Sequence, residues 1–326
     1  MNKLTSWVIT DFRPPNIVKM LNPFRRVMTW YYNRVIANYL LPIINGSVSE
    51  LSSHEKLGGS KPKTINTLAL QGYLSETGTR PQDIRKLDKT FTDSVIAQMK
   101  IFMLAGHDTT ASTMAFIFME LERNPACLAA LRAEHTAVFG PDPSTASSQI
   151  ASSPQLLNSL PYTLAVIKET LRLYPPVASA RQGQPSVFLT SPASGTRYPT
   201  DGFLITGSHF WVHRHEAFWP QPNTFLPERW LAKEGDELHV GKSMWRPFEQ
   251  GPRNCIGQEL ALIEMKAILV LVVRELEISS AYGEEDPEFM GTKGYQVMEV
   301  GEVAGRPKGG MPFRVRMVGE GGSGGR

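Results

Sequence analysis

The stretch Phe248-Glu249-Gln250-Gly251-Pro252-Arg253-Asn254-Cys255-Ile256-Gly257 governs the interpretation of the whole 326-residue chain. It places one cysteine between two glycines, directly before an apolar, helix-forming segment that starts at Gln258. Because glycine lacks a Cβ, Gly251 and Gly257 let the backbone turn sharply and approach a flat ligand closely. The thiol of Cys255 then lies near a helix N-terminus, where free N–H groups and the helix dipole favour ionised sulfur. The stretch therefore predicts a loop that holds a thiolate.

The fixed positions of this loop form the pattern F-x-x-G-x-R-x-C-x-G. A lone cysteine is more often a buried structural residue than a ligand, but here every fixed position is matched, and this favours the ligand. The loop resembles the haem-binding loop of the cytochrome P450 family, in which the cysteine is the axial ligand of the haem iron. Five residues are assigned to haem binding on this basis, with Arg253 reaching a carboxylate at the ligand edge and Phe248 shielding the sulfur from water: Phe248, Gly251, Arg253, Cys255 and Gly257.

Composition and charge narrow the class of protein. Hydrophobic residues make up 41% of the chain and charged residues 20%, which suits a large core in one or two domains. The net charge of +3 gives no indication of a nucleic-acid partner. The two cysteines, Cys127 and Cys255, do not suggest a disulfide framework and favour a reducing compartment. No apolar run reaches the roughly 18 residues of a membrane span, and no secretory signal is recognisable.

A second motif, Ala105-Gly106-His107-Asp108-Thr109-Thr110, stands in the centre of a long helix predicted at about 93–124. Glycine, aspartate and threonine are poor residues for a helix interior, so local propensity is overridden here. A hydrogen bond from the Thr109 hydroxyl to the Ala105 carbonyl would bend the helix, and Gly106 would open a groove for water or a small ligand. A kinked core helix is the alternative interpretation.

The same segment resembles the oxygen-binding groove of the cytochrome P450 family, A-G-x-D-T-T. The resemblance assigns Asp108 and Thr109 to catalysis, as the residues that deliver protons to bound dioxygen. It also makes Phe102 and Ala105, on the same helix, candidates for contact with the substrate.

A third motif, Glu169-Thr170-Leu171-Arg172, lies in a helix predicted at about 162–174. Glutamate and arginine three residues apart share a helix face, but this pattern alone occurs in many helices. Pro227-Glu228-Arg229-Trp230 resembles a further segment of the family. The resemblance implies that Glu169, Arg172 and Arg229 form a buried charge cluster that supports the fold and the haem loop without taking part in the chemistry.

The segment after this helix is small and extended. By resemblance it passes beside the haem, so that Val177, Ala178 and Ser179 touch the substrate and Arg181 lies near a haem propionate; an ordinary surface arginine is an equal alternative. Arg214 is assigned to the haem edge in the same way. Three nearby histidines, His209, His213 and His215, invite a metal site, but no fourth ligand is close in sequence.

The remaining segments are predicted from local patterns. They comprise one or two amphipathic helices up to about residue 45, exposed or polar loops at 46–64 and 139–161, a helix at 125–137, a hairpin around 191–196, a second hairpin pairing 296–300 with 313–318, and a disordered tail at 319–326.

The resemblance implies a mainly α protein with small β-sheets (α+β), a cytochrome P450 fold that lacks its N-terminal part, with the partial domain at 1–318. The implied activity is that of a haem-thiolate monooxygenase, of fungal type and of secondary metabolism, that uses haem b (iron protoporphyrin IX) and O2 on a small lipophilic substrate. Electrons would come from NADPH through an NADPH-cytochrome reductase docking at Lys242, Arg246 and Lys266. The family expectation is the cytosolic face of the endoplasmic reticulum, with a possible membrane surface, although the chain shows no anchor.

Two rival functions are also open. A haem-thiolate isomerase or dehydratase would need the cysteine loop but not the pair Asp108 and Thr109. A truncated, non-catalytic remnant would bind haem poorly or not at all.

Overall fold

The structure, a computed structural model, describes residues 24–57, 64–84, 87–297 and 304–319. These residues are mainly helical with short antiparallel two-stranded sheets, which confirms the predicted fold class. The chain divides into two compact units, residues 1–105 with 300–302 and residues 106–299 with 303–326. None of the described helices combines the length and the apolar character that a membrane crossing requires.

The first unit contains helix α1 (Phe24–Leu57), helix α2 (Ile65–Thr77) and the start of helix α3 (Lys89–Arg123). Thr64 and Thr67 form a capping box at the start of α2, which satisfies free N–H groups there. Leucine, isoleucine and valine side chains of the three helices and of the segment before α3 form the core: Leu40, Ile44, Leu51, Leu70, Leu74, Leu87, Val95 and Ile96.

Helix α1 corrects one sequence prediction. Residues 46–57 are helical rather than an exposed loop. Ile44, Ser47 and Leu51 are buried, and their spacing of three and four residues places them on one face of a helix. Burial of this face outweighs the poor helix propensity of the glycine and serines around it. The remainder of the predicted loop, at 58–63, and the predicted N-terminal helix before residue 24 lie outside the described residues.

Helix α3 is slightly longer at its start than the predicted 93–124. The side chain of Asp88 accepts a hydrogen bond from the Phe91 N–H at 3.1 Å, so the helix begins directly after a capping residue. It ends before Asn124, and helix α4 (Pro125–Phe139) follows with proline at its first position, where no N–H is required.

The second unit is built from the C-terminal part of α3, α4 and further helices: α5 (Ala146–Ser152), α6 (Pro161–Leu173), α7 (His209–Val212) and α8 (Gln258–Val272). Long α3, α4, α6 and α8 share one core, in which Phe116, Ile117, Leu131, Ile167 and Leu269 are fully buried. A smaller cluster packs Phe139, Ala146, Leu157, Leu160 and Val270.

That smaller cluster explains why the predicted polar loop at 139–161 was only partly correct. The segment contains α5 and two 3₁₀ turns, Pro143–Thr145 and Pro154–Ser159, rather than one short turn. Ala146 and Leu157 bury their side chains completely or nearly so, and this burial holds the turns in place.

The strands form antiparallel pairs. They are β1 (Ser179–Gln182) with β4 (Leu204–Gly207), β2 (Phe188–Thr190) with β3 (Arg197–Pro199), β5 (Leu276–Ser280) with β10 (Phe313–Met317), β6 (Glu288–Phe289) with β7 (Thr292–Lys293), and β8 (Gln296–Val297) with β9 (Arg306–Pro307).

The hairpin predicted around 191–196 is the β2–β3 pair, with Thr190 opposite Arg197. The second predicted hairpin was wrong. Strand β10 pairs with β5, in the register Phe313 opposite Ser280, while β8 pairs with β9. Strands β5 and β10 are each five residues long, so all of their residues can pair with one another. Strand β8 is only two residues long and could pair with only part of β10. The predicted disordered tail lies outside the described residues beyond Gly319.

Candidate functional site

The cysteine loop forms a closed turn ahead of helix α8. The N–H of Cys255 donates to the carbonyl of Phe248 at 2.8 Å, which closes the loop. Gly251 has φ of 84°, in the left-handed region that glycine adopts without steric cost. Gly257 caps α8, and a Cβ at that position would lie 3.9 Å from the cysteine sulfur. The glycines therefore keep the surroundings of the thiol bare.

The thiol of Cys255 is exposed, and so are the residues from Gly251 to Ile256. The side chain of Ile256 is 90% exposed, although it is strongly apolar. The sulfur is a soft donor that suits a metal ion. The uncovered apolar side chain beside it suits a flat, apolar surface. The two together suit a flat, apolar ligand that carries a metal ion. Among the described residues no group of three or more His, Cys, Asp or Glu could hold a metal ion. The donor set thus fits an iron macrocycle with one protein ligand better than a metal ion held by side chains alone.

The other cysteine differs in every respect. Cys127 lies half-buried in α4. Burial raises the pKa of its thiol, which keeps the sulfur protonated at neutral pH. A protonated, half-buried thiol is a poor metal ligand.

An aromatic stack supports the loop from inside. Phe248 packs on the core, with its ring centroid 5.8 Å from that of Trp245. The indole N–H of Trp245 donates to the Lys168 carbonyl on α6 at 3.1 Å. The Lys168 ammonium lies over Trp245 and Trp230, 5.6 and 5.5 Å from the ring centroids. The start of the loop is therefore anchored to α6.

Glu249 is a second anchor, and sequence reasoning missed it. Its carboxylate lies 3.2 Å from Nε2 of His209 and 3.4 Å from Nη2 of Arg246. Burial acts to raise the pKa of this carboxyl, but hydrogen bonds from Ser179 and His209 outweigh it and lower the pKa. Glu249 also has φ of 58°, a strained conformation for a residue with a side chain. These contacts tie the cysteine loop to β1 and α7, and nothing in the local sequence indicates them.

The predicted charge residues lie together in a fully buried cluster. Glu169 accepts two hydrogen bonds from Arg172, at 3.0 and 2.8 Å, and one from Nε of Arg229 at 3.0 Å. The indole N–H of Trp230 and the N–H of Leu226 complete its shell, each at 3.0 Å. Burial lowers the pKa of Arg229, while Glu169 counteracts this effect.

The remaining guanidinium donors of the cluster bind carbonyls of the chain between α7 and the Pro227–Trp230 turn. Arg172 donates to the carbonyls of His213, Pro222 and Thr224, and Arg229 donates to that of Pro220. One side-chain cluster thereby holds an irregular segment that leads to the cysteine loop.

The centre of α3 presents Asp108 as a buried carboxylate with two basic neighbours. Nη2 of Arg306 donates to Oδ2 at 2.8 Å, and Nδ1 of His107 lies 3.2 Å from Oδ1. Asp108 is 6% exposed, whereas His107 is 66% exposed, so the pair links solvent to the interior. A Cβ at Gly106 would meet nothing within 4 Å, which leaves open space beside the helix. Thr109 is half-buried, and its carbonyl accepts a bond from the Thr113 hydroxyl.

Arg306 also was not found from the sequence. It begins β9, next to Gly305, whose carbonyl accepts a bond from the hydroxyl of Ser112 at 2.8 Å. The N–H of Gly305 donates to the carbonyl of Pro176 at 2.6 Å. Ser112 lies one helical turn after Asp108, so both side chains are on the same face of α3. That face therefore binds Gly305 and Arg306 together. The carboxylate of α3 is thus joined through β9 to the segment that leads to β1.

The candidate substrate residues fall in both units. Val177 and Ser179 are half-buried and Ala178 is exposed, at the start of β1. Phe102, half-buried, and Ala105, exposed, belong to the part of α3 in the first unit.

The two arginines assigned to the haem edge have different surroundings. Arg181 is exposed, and its Nη1 donates to the Ala180 carbonyl. Arg214 is half-buried, donates from Nη1 to the Leu173 carbonyl and stacks on Phe210, with 4.0 Å from Cζ to the ring centroid. Burial lowers the pKa of Arg214 to about 10, so it remains charged at neutral pH. Arg253 is exposed in the cysteine loop.

One basic residue, Lys266, departs from the sequence predictions. Lys266 was expected to supply charge to a docking surface, but it is 8% exposed and donates to the Leu157 carbonyl at 3.0 Å. That assignment was wrong, because its position on α8 faces the core. His213 is also buried; burial lowers its pKa to about 3, and its Nε2 accepts the N–H of Arg246. His209 begins the short helix α7 and His213 follows it, and among the described residues no group of three or more His, Cys, Asp or Glu could hold a metal ion.

Comparisons with known proteins agree with this geometry. A family model described as Cytochrome P450 matches residues 1–300. The chain is 37% identical over 314 residues to cytochrome P450 monooxygenase polC of Polytolypa hystricis, covering 93% of this chain and 54% of that protein. It is 28% identical over 333 residues to cytochrome P450 monooxygenase acrF of Aspergillus aculeatus, covering 94% and 65%. The chain thus spans about half to two thirds of the length of these relatives.

A solved structure, the cytochrome P450DA heme domain, superposes with a TM-score of 0.65 and 22% identity. The superposition covers 92% of this chain and 58% of the other. At this identity the likeness concerns the fold.

Proposed function

The chain belongs to the cytochrome P450 family, and on that premise we propose that it is the haem-thiolate part of a monooxygenase. The substrate is a small lipophilic molecule, and the similarity to fungal monooxygenases supports a role in secondary metabolism. The single observation that carries the proposal is the exposed thiol of Cys255, on a glycine-flanked loop directly before α8. A haem b group bound there would supply the activation of O2 and the insertion of one of its oxygen atoms into a C–H bond, while two electrons from NADPH and two protons convert the other oxygen atom to water.

In this proposal the cysteine loop holds and orients the group. Cys255 provides the thiolate, Gly251 and Gly257 leave room for close approach, and Phe248 excludes water from one side of the sulfur. Arg253, Arg181 and Arg214 are the cations assigned to the carboxylates at the edge of the group. Arg181 and Arg253 are exposed and thus accessible to such carboxylates.

The residues of α3 move protons. The exposed imidazole of His107 can take a proton from solvent and pass it to Oδ1 of Asp108, 3.2 Å away. Arg306 holds the other carboxylate oxygen and so orients Asp108. The hydroxyl of Thr109, the next residue of α3, would then hold a proton that the oxygen chemistry of the haem group consumes. Phe102, Ala105, Val177, Ala178 and Ser179 are assigned to the walls that position the substrate.

Electrons would come from NADPH through a flavoprotein reductase that approaches the exposed face of the cysteine loop. Arg246, whose side chain is 43% exposed, remains available at the surface for such a partner. The side chain of Lys242 lies outside the described residues. By family analogy the protein acts at the cytosolic face of the endoplasmic reticulum.

The proposal is tested by the carbon-monoxide difference spectrum of the reduced 326-residue chain, expressed with haem supplied. We expect a red-shifted Soret band from thiolate-ligated haem, its complete loss in Cys255→Ala, and no loss in the matched control Cys127→Ala. Hydroxylation of a panel of lipophilic compounds in the presence of reductase and NADPH then tests the activity.

Three outcomes would contradict parts of the proposal. Absence of the band, or a band that persists in Cys255→Ala, would favour a non-catalytic remnant. A Soret band with substrate turnover that consumes no O2 would favour a haem-thiolate isomerase or dehydratase.

A further inference from the structure

A cavity of about 320 Å³ lies in the second unit. Its size is at the lower end of the range of roughly 300 to 1,000 Å³ that small-molecule pockets span. Neither Cys255, nor any other residue of the 248–257 loop, nor Asp108 or Thr109 lines it. Apolar and aromatic side chains dominate its walls, among them Tyr174, Val177, Phe210, Trp211, Phe289 and Tyr295.

The side chains that line the cavity include basic residues but no acidic ones. Arg214 and His209 are the basic residues that line the cavity, and no aspartate or glutamate lines it. The Nε2 of His209 already faces the carboxylate of Glu249 at 3.2 Å. Arg214 forms no ion pair with any carboxylate in the part of the chain that the structure describes. Burial lowers the pKa of Arg214, and the buried carboxyl groups of Glu120 and Glu169 counteract this effect only in part and without a direct ion pair. An anionic ligand in the cavity would offset the remaining cost of burying the cation.

The guanidinium of Arg214 is held in a defined orientation. Its Cζ lies 4.0 Å from the ring centroid of Phe210 and 5.8 Å from that of Tyr174. Nη1 donates to the Leu173 carbonyl, and no protein acceptor for Nε or Nη2 occurs among the described residues. A planar guanidinium stacked on a ring presents its remaining N–H groups at its edge, where a carboxylate is bound by two parallel hydrogen bonds.

Tyr174 makes the cavity wall rigid. Its hydroxyl donates to the buried carboxyl of Glu120 at 2.6 Å and lies 3.2 Å from the hydroxyl of Thr292 on β7. Its ring stacks on Phe116, with centroids 4.2 Å apart. Burial raises the pKa of both Tyr174 and Glu120, so the phenol remains protonated at neutral pH. Tyr174 therefore adds a fixed apolar ring and no negative charge to the cavity.

From this geometry we propose that the cavity binds a free lipophilic carboxylic acid, with the carboxylate on Arg214 and the apolar body among the aromatic rings of Phe210, Trp211 and Phe289. The aromatic walls favour an arene or a short acyl chain, and the volume limits it to a small one. The site shares Val177, Ala178 and Arg214 with the substrate walls and the haem edge of the proposed function, and for Arg214 it replaces the haem-edge role; its binding of an acid does not require haem. It would serve as an effector or product site next to β1.

The carboxylate of a haem propionate is the competing occupant of Arg214. The two sources differ in what they require: haem needs Cys255, whereas a free acid needs only the cavity. No residue of the 248–257 loop lines the cavity, and this favours the free acid.

The test uses the full 326-residue chain and a matched pair of probes, 3-phenylpropionate and its neutral amide, titrated by isothermal calorimetry. We expect the acid to bind at least about tenfold more tightly than the amide, the effect of charge-assisted hydrogen bonds to a partly buried arginine. Arg214→Gln should abolish this preference. The matched control is Arg197→Gln, because Arg197 stacks on Phe188 at 4.2 Å in the exposed β2–β3 hairpin, outside the cavity.

A second variant keeps the proposal open to refutation if Arg214→Gln fails to fold. Ala178→Trp fills the cavity without changing Arg214, and it should weaken the binding of acid and amide alike. Equal binding of both probes by the parent chain, or undiminished binding by Ala178→Trp, would overturn the proposal.

The haem alternative is separated by Cys255→Ala, which should retain the full preference for the acid if the cavity acts by itself. If instead Arg214→Gln releases haem and the acid competes with haem, Arg214 serves the haem edge and the proposal is wrong. The calorimetry measures acid binding and does not require bound haem. Its result can therefore be interpreted even if the chain shows no Soret band and the monooxygenase proposal fails.

Discussion

Glu169 and Cys255 lie in the same compact unit, but their surroundings are opposite in character. The carboxylate of Glu169 is fully buried and accepts hydrogen bonds from two arginines, an indole and a backbone N–H. The thiol of Cys255 is exposed, on a loop that a backbone hydrogen bond from its own N–H to Phe248 closes and that Glu249 anchors to His209. The buried cluster is complete without any ligand, and its role is structural. The exposed loop has a free soft donor, and its role depends on what binds it.

The largest expected effect on stability comes from removing the Glu169 carboxylate, and removal of the Cys255 thiol is the comparison. Glu169→Ala leaves two buried guanidinium groups without their anion, and we expect a loss of about 3 to 5 kcal/mol in the free energy of unfolding. Cys255→Ala removes an exposed side chain without such partners, and we expect a change within roughly 0.5 kcal/mol for the haem-free chain. Urea unfolding measures both values. A small loss for Glu169→Ala would show that the cluster is not essential to the fold.

The contrast between buried and exposed groups also predicts a pH dependence. Burial, aided by the positive charge of Arg274, lowers the pKa of His135 from 6.5 to about 4, so the folded protein keeps this imidazole neutral. The unfolded chain binds the proton as the pH falls below about 6.5, and stability is therefore full above that pH and lost below it. Between about pH 6 and pH 4.5 this histidine contributes a slope of roughly 1.4 kcal/mol per pH unit.

The measurement compares urea unfolding across this pH window in three proteins. His135→Gln should flatten the slope by the amount of one histidine, since glutamine does not titrate. The control His215→Gln replaces an exposed imidazole and should leave the slope unchanged. Equal slopes in all three proteins would mean that the neutral state of His135 does not stabilise the fold.

The smallest expected effects on stability come from adding a single methyl group at Gly251 or at Gly106. Gly251→Ala in the cysteine loop forces a side chain into a backbone with φ of 84°, and we expect a loss of about 1 to 2 kcal/mol. Gly106→Ala on α3 meets nothing within 4 Å, and we expect a gain of up to about 1 kcal/mol from helix propensity. The same substitution should thus change stability in opposite directions, as measured by thermal or urea unfolding. A gain for Gly251→Ala would remove the conformational reason for glycine in the loop.

Sequence reasoning succeeded where the decisive interactions are local. The cysteine loop depends on glycines, a closing backbone bond and the helix start at Gln258, all within about ten residues. The ends of α3 and α4 follow from Asp88 and from Pro125 in the same way. It failed for residues 46–57, because burial of Leu51 against other helices outweighs the local turn-forming composition.

The site residues that were missed share one property, which is a partner far away along the chain. Glu249 is held by His209, 40 residues earlier, and Arg306 is held by Asp108, 198 residues earlier. The pairing of β10 with β5 instead of β8 is a contact of the same kind. No periodicity or motif around these residues indicates the partner, since the partner is brought near by packing alone.

The sequence by itself determined the family, the glycine-flanked loop that carries Cys255 and the segment of helix that carries Asp108 and Thr109, because each depends on a short run of residues with special backbone or chemical properties. Only the tertiary structure decided that Lys266 is buried, that Arg306 holds Asp108, and that Arg214 faces a cavity without a carboxylate. The physical reason is that burial and charge pairing are properties of space around a side chain. Neighbours in that space come from helices and strands that are distant in the sequence.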